Sequence, residues 1–129
     1  MTADDLMQQF ESGTLSNTSF HHADHVRMAF LYLTRLTPLA ALEKFSVSLA
    51  RFAAANGKPQ LYNETITWAF LLLIRERMAR AGQPQTWEEF AANNADLLNW
   101  DDNILKKYYR TETLCSELAK STFLFPDKL

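Results

Sequence analysis

Seven consecutive apolar residues, Trp68-Ala69-Phe70-Leu71-Leu72-Leu73-Ile74, constrain this chain more than any other stretch of it. Wound into a helix, they place apolar side chains on every side, so a soluble fold must cover that helix all round. A parallel-sheet strand also reads as an unbroken apolar run. Here the Leu and Ala content and the continuation Arg75-Glu76-Arg77-Met78-Ala79-Arg80 favour helix. A membrane span needs about 20 apolar residues, and Arg75 and Glu76 arrive too early for one. Tyr62 to Ala81 is therefore expected as a central core helix, stopped by Gly82.

A chain of 129 residues is long enough to bury a core around such a helix. Its 3 glycines and 4 prolines fall between periodic segments, which implies few turns and long regular elements. The expected fold is all-α, a single domain over residues 1–129. It is a bundle of about five to seven helices around the central apolar helix, with the second and third helices packed on it as an antiparallel hairpin. Cys115 is the single cysteine and cannot make an internal disulfide; the opening Met1-Thr2-Ala3-Asp4-Asp5-Leu6 lacks the basic and apolar segments of a secretion signal. Both features point to the cytoplasm. The net charge of -2 comes from 13 basic and 15 acidic residues spread along the chain, leaving no basic stripe. Neither nucleic acid nor a membrane is expected as partner, and nothing in the sequence fixes an oligomeric state.

The remaining helices are read from caps and periodicity. Thr2 to Ser12 carries Leu6, Met7 and Phe10 at helical spacing, with Asp4 and Asp5 in the first turn and Gly13 as the stop. Asn17 or Ser19 is expected to cap a second helix from about His21 to Leu36. Thr37-Pro38 opens a third, which ends at Asn56-Gly57 and buries Leu42, Phe45, Leu49 and Phe52. Thr86-Trp87-Glu88-Glu89 has capping-box spacing and starts a helix to about Leu98. Asp101 or Asp102 then caps a short helix with Ile104, Leu105, Tyr108 and Tyr109, and Thr111 a last one with Leu114, Cys115 and Leu118. Phe123-Leu124-Phe125-Pro126-Asp127 reads as an extended tail whose aromatics pin it to the bundle.

All three histidines fall in Phe20-His21-His22-Ala23-Asp24-His25-Val26-Arg27, at the start of the second helix. Spacing of three or four residues puts His22 or His21 on the face of His25, within reach of one metal ion or one anion. A helix amino terminus disfavours an imidazolium, so these rings tend to be neutral, the form that binds metal or accepts a proton. His25, on the face of Met28, Ala29 and Tyr32, is expected to be the most buried and to have a lowered pKa. Two surface histidines and one hydrogen-bonded core histidine satisfy the same spacing. Two histidines also leave a catalytic zinc short of its usual three protein ligands. A divalent metal on His22 and His25 is thus possible but not favoured, and no other cofactor is implied.

The candidate source of further groups is the start of the core helix, where Tyr62, Asn63, Glu64, Thr65 and Thr67 lead into the apolar run. These residues either cap the helix and bond backward, or line a pocket beside the histidines and contact His25. Cys115, among Leu114 and Leu118, reads as a buried inert thiol.

Phe20-x-His22-x-x-His25 with the apolar helix after it, then Leu61-Tyr62-Asn63-Glu64-Thr65, Tyr108-Tyr109 and the closing Phe125-Pro126-Asp127, resemble an uncharacterised family of small bacterial helical proteins. The resemblance implies a first motif F-x-H-x-x-H, carried by His22 and His25, and a second like Y-H-E-T. Asn63 stands here where that second motif has histidine, and an amide is a poor zinc ligand. The paired histidines are also similar, by analogy of architecture alone, to metal-binding bundles of the DinB type.

These features do not fix a reaction. The function expected is small-ligand or metal binding in a pocket of His22, His25, Tyr62, Asn63, Glu64, Thr65 and Thr67. If a substrate is turned over, His25 or His22 acts as general base with Glu64 orienting it. The alternative is a non-enzymatic interaction or structural module in which the histidines are structural.

Overall fold

The structure, a computed structural model, describes residues 2–15 and 21–128. Those residues are all-α: eight α-helices and two short 3-10 turns, with no strand among them. The chain divides into two compact units, Met1–Tyr62 and Asn63–Leu129.

The first unit holds α1 (Ala3–Ser12), α2 (His22–Arg35), α3 (Pro38–Ala55) and the 3-10 turn Pro59–Leu61. Thr2 caps α1 through a box with Asp5, and Gly13 ends it at φ 74, a conformation that suits a residue without a side chain. Thr37 caps α3, with Pro38 in its first turn. α1 and α2 both pack on α3. Phe10 sits at the centre, its ring 6.0 Å from those of Phe45 and Phe52 and 6.5 Å from Tyr32. The buried stripe of α3 is Ala41, Phe45, Ser48 and Phe52. Leu42 and Leu49, expected in that stripe, are only half-buried, and Ala41 and Ser48, one residue before each, are buried instead. The Tyr32 hydroxyl donates to Glu11 Oε2 at 2.6 Å. Burial and this carboxylate push the phenol pKa up. The caps expected of Asn17 or Ser19 lie outside the described residues; at the described edge, Asp24 accepts from the His21 N–H at 2.9 Å.

The second unit is built on α4 (Glu64–Ala81), followed by α5 (Trp87–Asn93), α6 (Ala95–Leu98), the 3-10 turn Ile104–Lys107, α7 (Thr111–Leu114) and α8 (Glu117–Ser121). α4 ends at Gly82 with φ 75, as its sequence predicts, but it starts at Glu64 rather than at the expected Tyr62, because Asn63 takes the cap, one of the two uses its sequence allows. It is not covered all round. Leu71 and Ile74 are fully buried but Leu72 is 43% exposed, while the polar Thr65 and Thr67 are buried instead. Three further boundaries differ from expectation, each through a side chain that competes for backbone groups. Buried Asn94 donates back to Phe90 O at 2.9 Å and breaks the expected long helix into α5 and α6. Asn103, not Asp101 or Asp102, caps the Ile104 turn. Ser116 accepts from the Ala119 N–H and starts a new helix, so the expected last helix becomes α7 and α8. Cys115 falls at that break and is exposed, not buried. Arg77 of α4 ties the first break down, donating to both Asp96 carboxylate oxygens and to Asn94 Oδ1. No helix of the described residues is long and apolar enough to cross a membrane.

Candidate functional site

The predicted site residues fall in both units: His22, His25 and Tyr62 in the first, Asn63, Glu64, Thr65 and Thr67 in the second.

In the first unit the α2 helix begins at His22, so His21 stands at its cap, His22 in its first turn and His25 one residue beyond that turn. His21 is exposed, and His22 and His25 are both half-buried. The charge of the His25 ring is opposed by its surroundings. Desolvation, then the nearby imidazoles of His22 and His21, push its pKa down to about 4. At neutral pH the ring is therefore uncharged, in the direction its position predicts. A base whose conjugate acid has so low a pKa is ill matched to proton abstraction near pH 7, where the best base has a pKa close to the working pH. Among the described residues no group of three or more His, Cys, Asp and Glu side chains is placed to hold a metal ion. Tyr62 ends the Pro59–Leu61 turn, its N–H donating to Pro59 O at 3.2 Å.

In the second unit every polar side chain at the start of α4 has an internal partner. Asn63 does two jobs: Oδ1 accepts from the Ile66 N–H at 2.9 Å, closing the helix cap, and Nδ2 donates to Leu114 O at 2.8 Å, holding the end of α7. Thr67 bonds backward to Asn63 O at 2.7 Å. Glu64 Oε1 accepts from the Trp68 indole N–H at 3.0 Å. Thr65 does not bond backward, although the sequence alone allows it. Its hydroxyl, fully buried, shares its one proton between Ala119 O at 3.0 Å and Thr122 O at 2.8 Å and accepts from the Leu124 N–H at 3.1 Å.

That hydroxyl terminates α8 and aligns the tail after it. Phe123 then stacks on Trp68, ring centres 5.4 Å apart, and the Tyr109 hydroxyl donates to Leu124 O at 2.7 Å. Phe125 meets only the edge of Phe123 and is 81% exposed, so of the two tail aromatics Phe123 does the pinning. The tail closes on Asp127, whose carboxylate accepts from the Arg110 N–H and the Thr113 hydroxyl, while Asp127 and Lys128 N–H groups donate to Tyr108 O. Sequence reasoning found the residues at the start of α4 but not this use of them. Its only advance signal was a Thr-rich helix start ahead of an apolar run. Comparison with protein-family models, with curated proteins and with solved structures finds no match for this chain.

Proposed function

We propose that this chain is a non-enzymatic protein-interaction module, in which the histidines and the polar start of α4 serve structure. One observation carries the reading: the Asn63, Thr65 and Thr67 side chains, which a ligand pocket would need, are engaged by Ile66, Leu114, Ala119, Thr122, Leu124 and Asn63 itself. A ligand would have to displace those bonds and leave buried carbonyls unsatisfied, at a cost of about 1–3 kcal/mol for each group. The depressed pKa of His25 supports the same reading, since it suits a desolvated neutral ring better than a general base. Exposed apolar side chains supply contact surface: Leu39 and Leu61 in the first unit, Leu118 and Phe125 in the second. The setting we propose is the cytoplasm, with no nucleic acid among the partners.

The competing reading is small-ligand or metal binding through His22 and His25. Two measurements on protein purified without a metal column separate them: elemental analysis with native mass spectrometry, and the melting temperature of His22→Ala and His25→Ala. The structural reading expects a lower melting temperature for His25→Ala and nothing retained to lose. Stoichiometric zinc, iron, manganese or a small molecule that disappears in the variants, with melting unchanged, overturns it.

A further inference from the structure

The fold of the second unit gathers cations that are scattered in sequence. The tail returns to the Ile104–Lys107 turn, where the Asp127 and Lys128 N–H groups donate to Tyr108 O at 3.1 and 3.0 Å, and Lys128 Nζ donates to Lys106 O at 2.9 Å. Asp127 also binds the Arg110 N–H at 3.0 Å. Lys106, Lys107, Arg110 and Lys128 are thereby brought to one place around Tyr108, and all four are exposed. No ion pair among the described residues involves any of them. The acidic group in their midst, Asp127, is engaged by the Arg110 N–H and the Thr113 hydroxyl. Lys106 and Lys128 turn their ammonium groups to the Asp101 and Lys106 carbonyls at 2.8 and 2.9 Å, bonds that leave their charge in place, and Lys107 and Arg110 are the outward cations. The Tyr108 ring beside them is 40% exposed, an apolar face with a polar tip.

We propose that this patch docks an acidic peptide segment of a partner protein, with Lys107 and Arg110 receiving carboxylates, Lys106 and Lys128 adding to the local positive field, and Tyr108 taking an apolar side chain between them. The inference rests on the interaction reading above and names the partner's chemistry. Charge complementarity selects it: a net charge of -2 repels an extended polyanion, whereas a short acidic segment meets only the local positive field. A nucleic acid or an anionic bilayer presents charge over an area far larger than this patch.

The test is a fluorescence-anisotropy titration of the full chain against a fluorescein-labelled peptide, Glu-Glu-Leu-Glu-Glu-Glu. Saturable binding is expected, weakening about tenfold over a several-fold rise in salt because exposed charges are screened. Lys107→Glu with Arg110→Glu is expected to weaken it by about tenfold or more, and Lys58→Glu, in the first unit, to leave it unchanged. The hydrogen bond from Arg110 to Asp127 is made by the backbone, and the Arg110 charge also favours the Asp127 carboxylate; equal melting temperatures check that the tail survives the double variant, and Tyr108→Ala gives a second variant without charge change. Absence of binding, equal binding by the double variant, or patch-dependent binding of phosphatidylserine vesicles but not of the peptide overturns the proposal. Any of these removes the patch assignment and leaves the metal and histidine measurements, which test the interaction reading, as they stand.

Discussion

The two helices that carry polar residues at their starts use them in opposite ways. At α2 the cap is local: Asp24 reaches back three residues to the His21 N–H, and the imidazoles of His22 and His21 add to the burial that lowers the basicity of His25. At α4 the start is a long-range junction. Asn63 reaches 51 residues forward to Leu114, and Thr65 reaches 54, 57 and 59 residues forward to Ala119, Thr122 and Leu124. Both starts look equally chemical when read along the chain, yet only long-range partners distinguish a group available to a ligand from one that organises a fold. The polar start of α4 holds α7, α8 and the tail, so it belongs to the second unit's folding core.

The strongest way to break that comparison is to remove the Thr65 hydroxyl. Thr65→Val keeps the shape and leaves Ala119 O, Thr122 O and the Leu124 N–H without this partner in a site where Thr65 is 0% exposed. The expected loss is on the order of 3 kcal/mol, in the range for a broken buried network. Thr65→Ser should recover most of it. Urea denaturation measures both; a loss for Thr65→Val within a few tenths of a kcal/mol would mean that the hydroxyl is not the junction described.

The α2 side is tested by pH. The His25 pKa is lowered to about 4 in the fold from its ordinary value of 6.5, so between those two values the unfolded chain binds more protons than the folded one. Stability from this group is fully present above pH 6.5 and is lost as pH falls towards 4. The expected change across that window is on the order of 2 kcal/mol. His25→Gln, whose amide does not titrate, should flatten that part of the curve, while Thr65→Val should lower the whole curve and keep its slope. NMR titration of the ring offers a second check, and a His25 that titrates near 6.5 removes the desolvated environment.

Asn63 sharpens the contrast inside one side chain. Asn63→Asp retains the acceptor for the Ile66 N–H and replaces the donor to Leu114 O with a second acceptor; Asn63→Ala loses both. Asn63→Ala should cost about 1–2 kcal/mol, the sum of a cap and a modest tertiary bond. If Asn63→Asp is as stable as the parent, the Leu114 tie contributes nothing and only the local cap matters.

How much of this was legible in the sequence follows from range. Thr2, Thr37, Asn63 and Thr86 each cap a helix, with the bond made within three residues; Thr37 and Thr86 are read as caps from spacing alone, and capping is one of the two uses the sequence allows Asn63. The three left-handed glycines mark stops for the same local reason. Asn94, Asn103 and Ser116 are equally local, but they sit inside periodic apolar patterns that favour continuation, and the competing side-chain bonds shorten the helices. The partners of Thr65 are not legible in the sequence because they lie more than fifty residues away. The basic patch was invisible for a related reason: Lys128 joins Lys106, Lys107 and Arg110 only when the tail folds back on Tyr108. Leu72 shows the opposite limit, since an unbroken apolar run does not say which of its faces a small unit can cover.

The smallest effect is expected where the junction meets the tail through rings alone. Phe123 stacks on Trp68 with an interplanar angle of 18°, and the indole N–H is held by Glu64 at 3.0 Å. Removing the ring in Phe123→Leu takes away the stacking but keeps an apolar side chain, so the cost should be about 1 kcal/mol. Trp68 is already half-buried, and without Phe123 its indole gains water on one face. Its emission should shift to the red and acrylamide should quench it more readily, in a change small for stability but clear in fluorescence. The chain has 3 tryptophans, so the measurement is made on a Trp87→Phe, Trp100→Phe background, which leaves Trp68 as the only indole. Emission and quenching that do not respond to Phe123→Leu would mean that the tail is held by Thr65, Tyr109 and Asp127 alone, with the aromatic contact contributing nothing to the pinning.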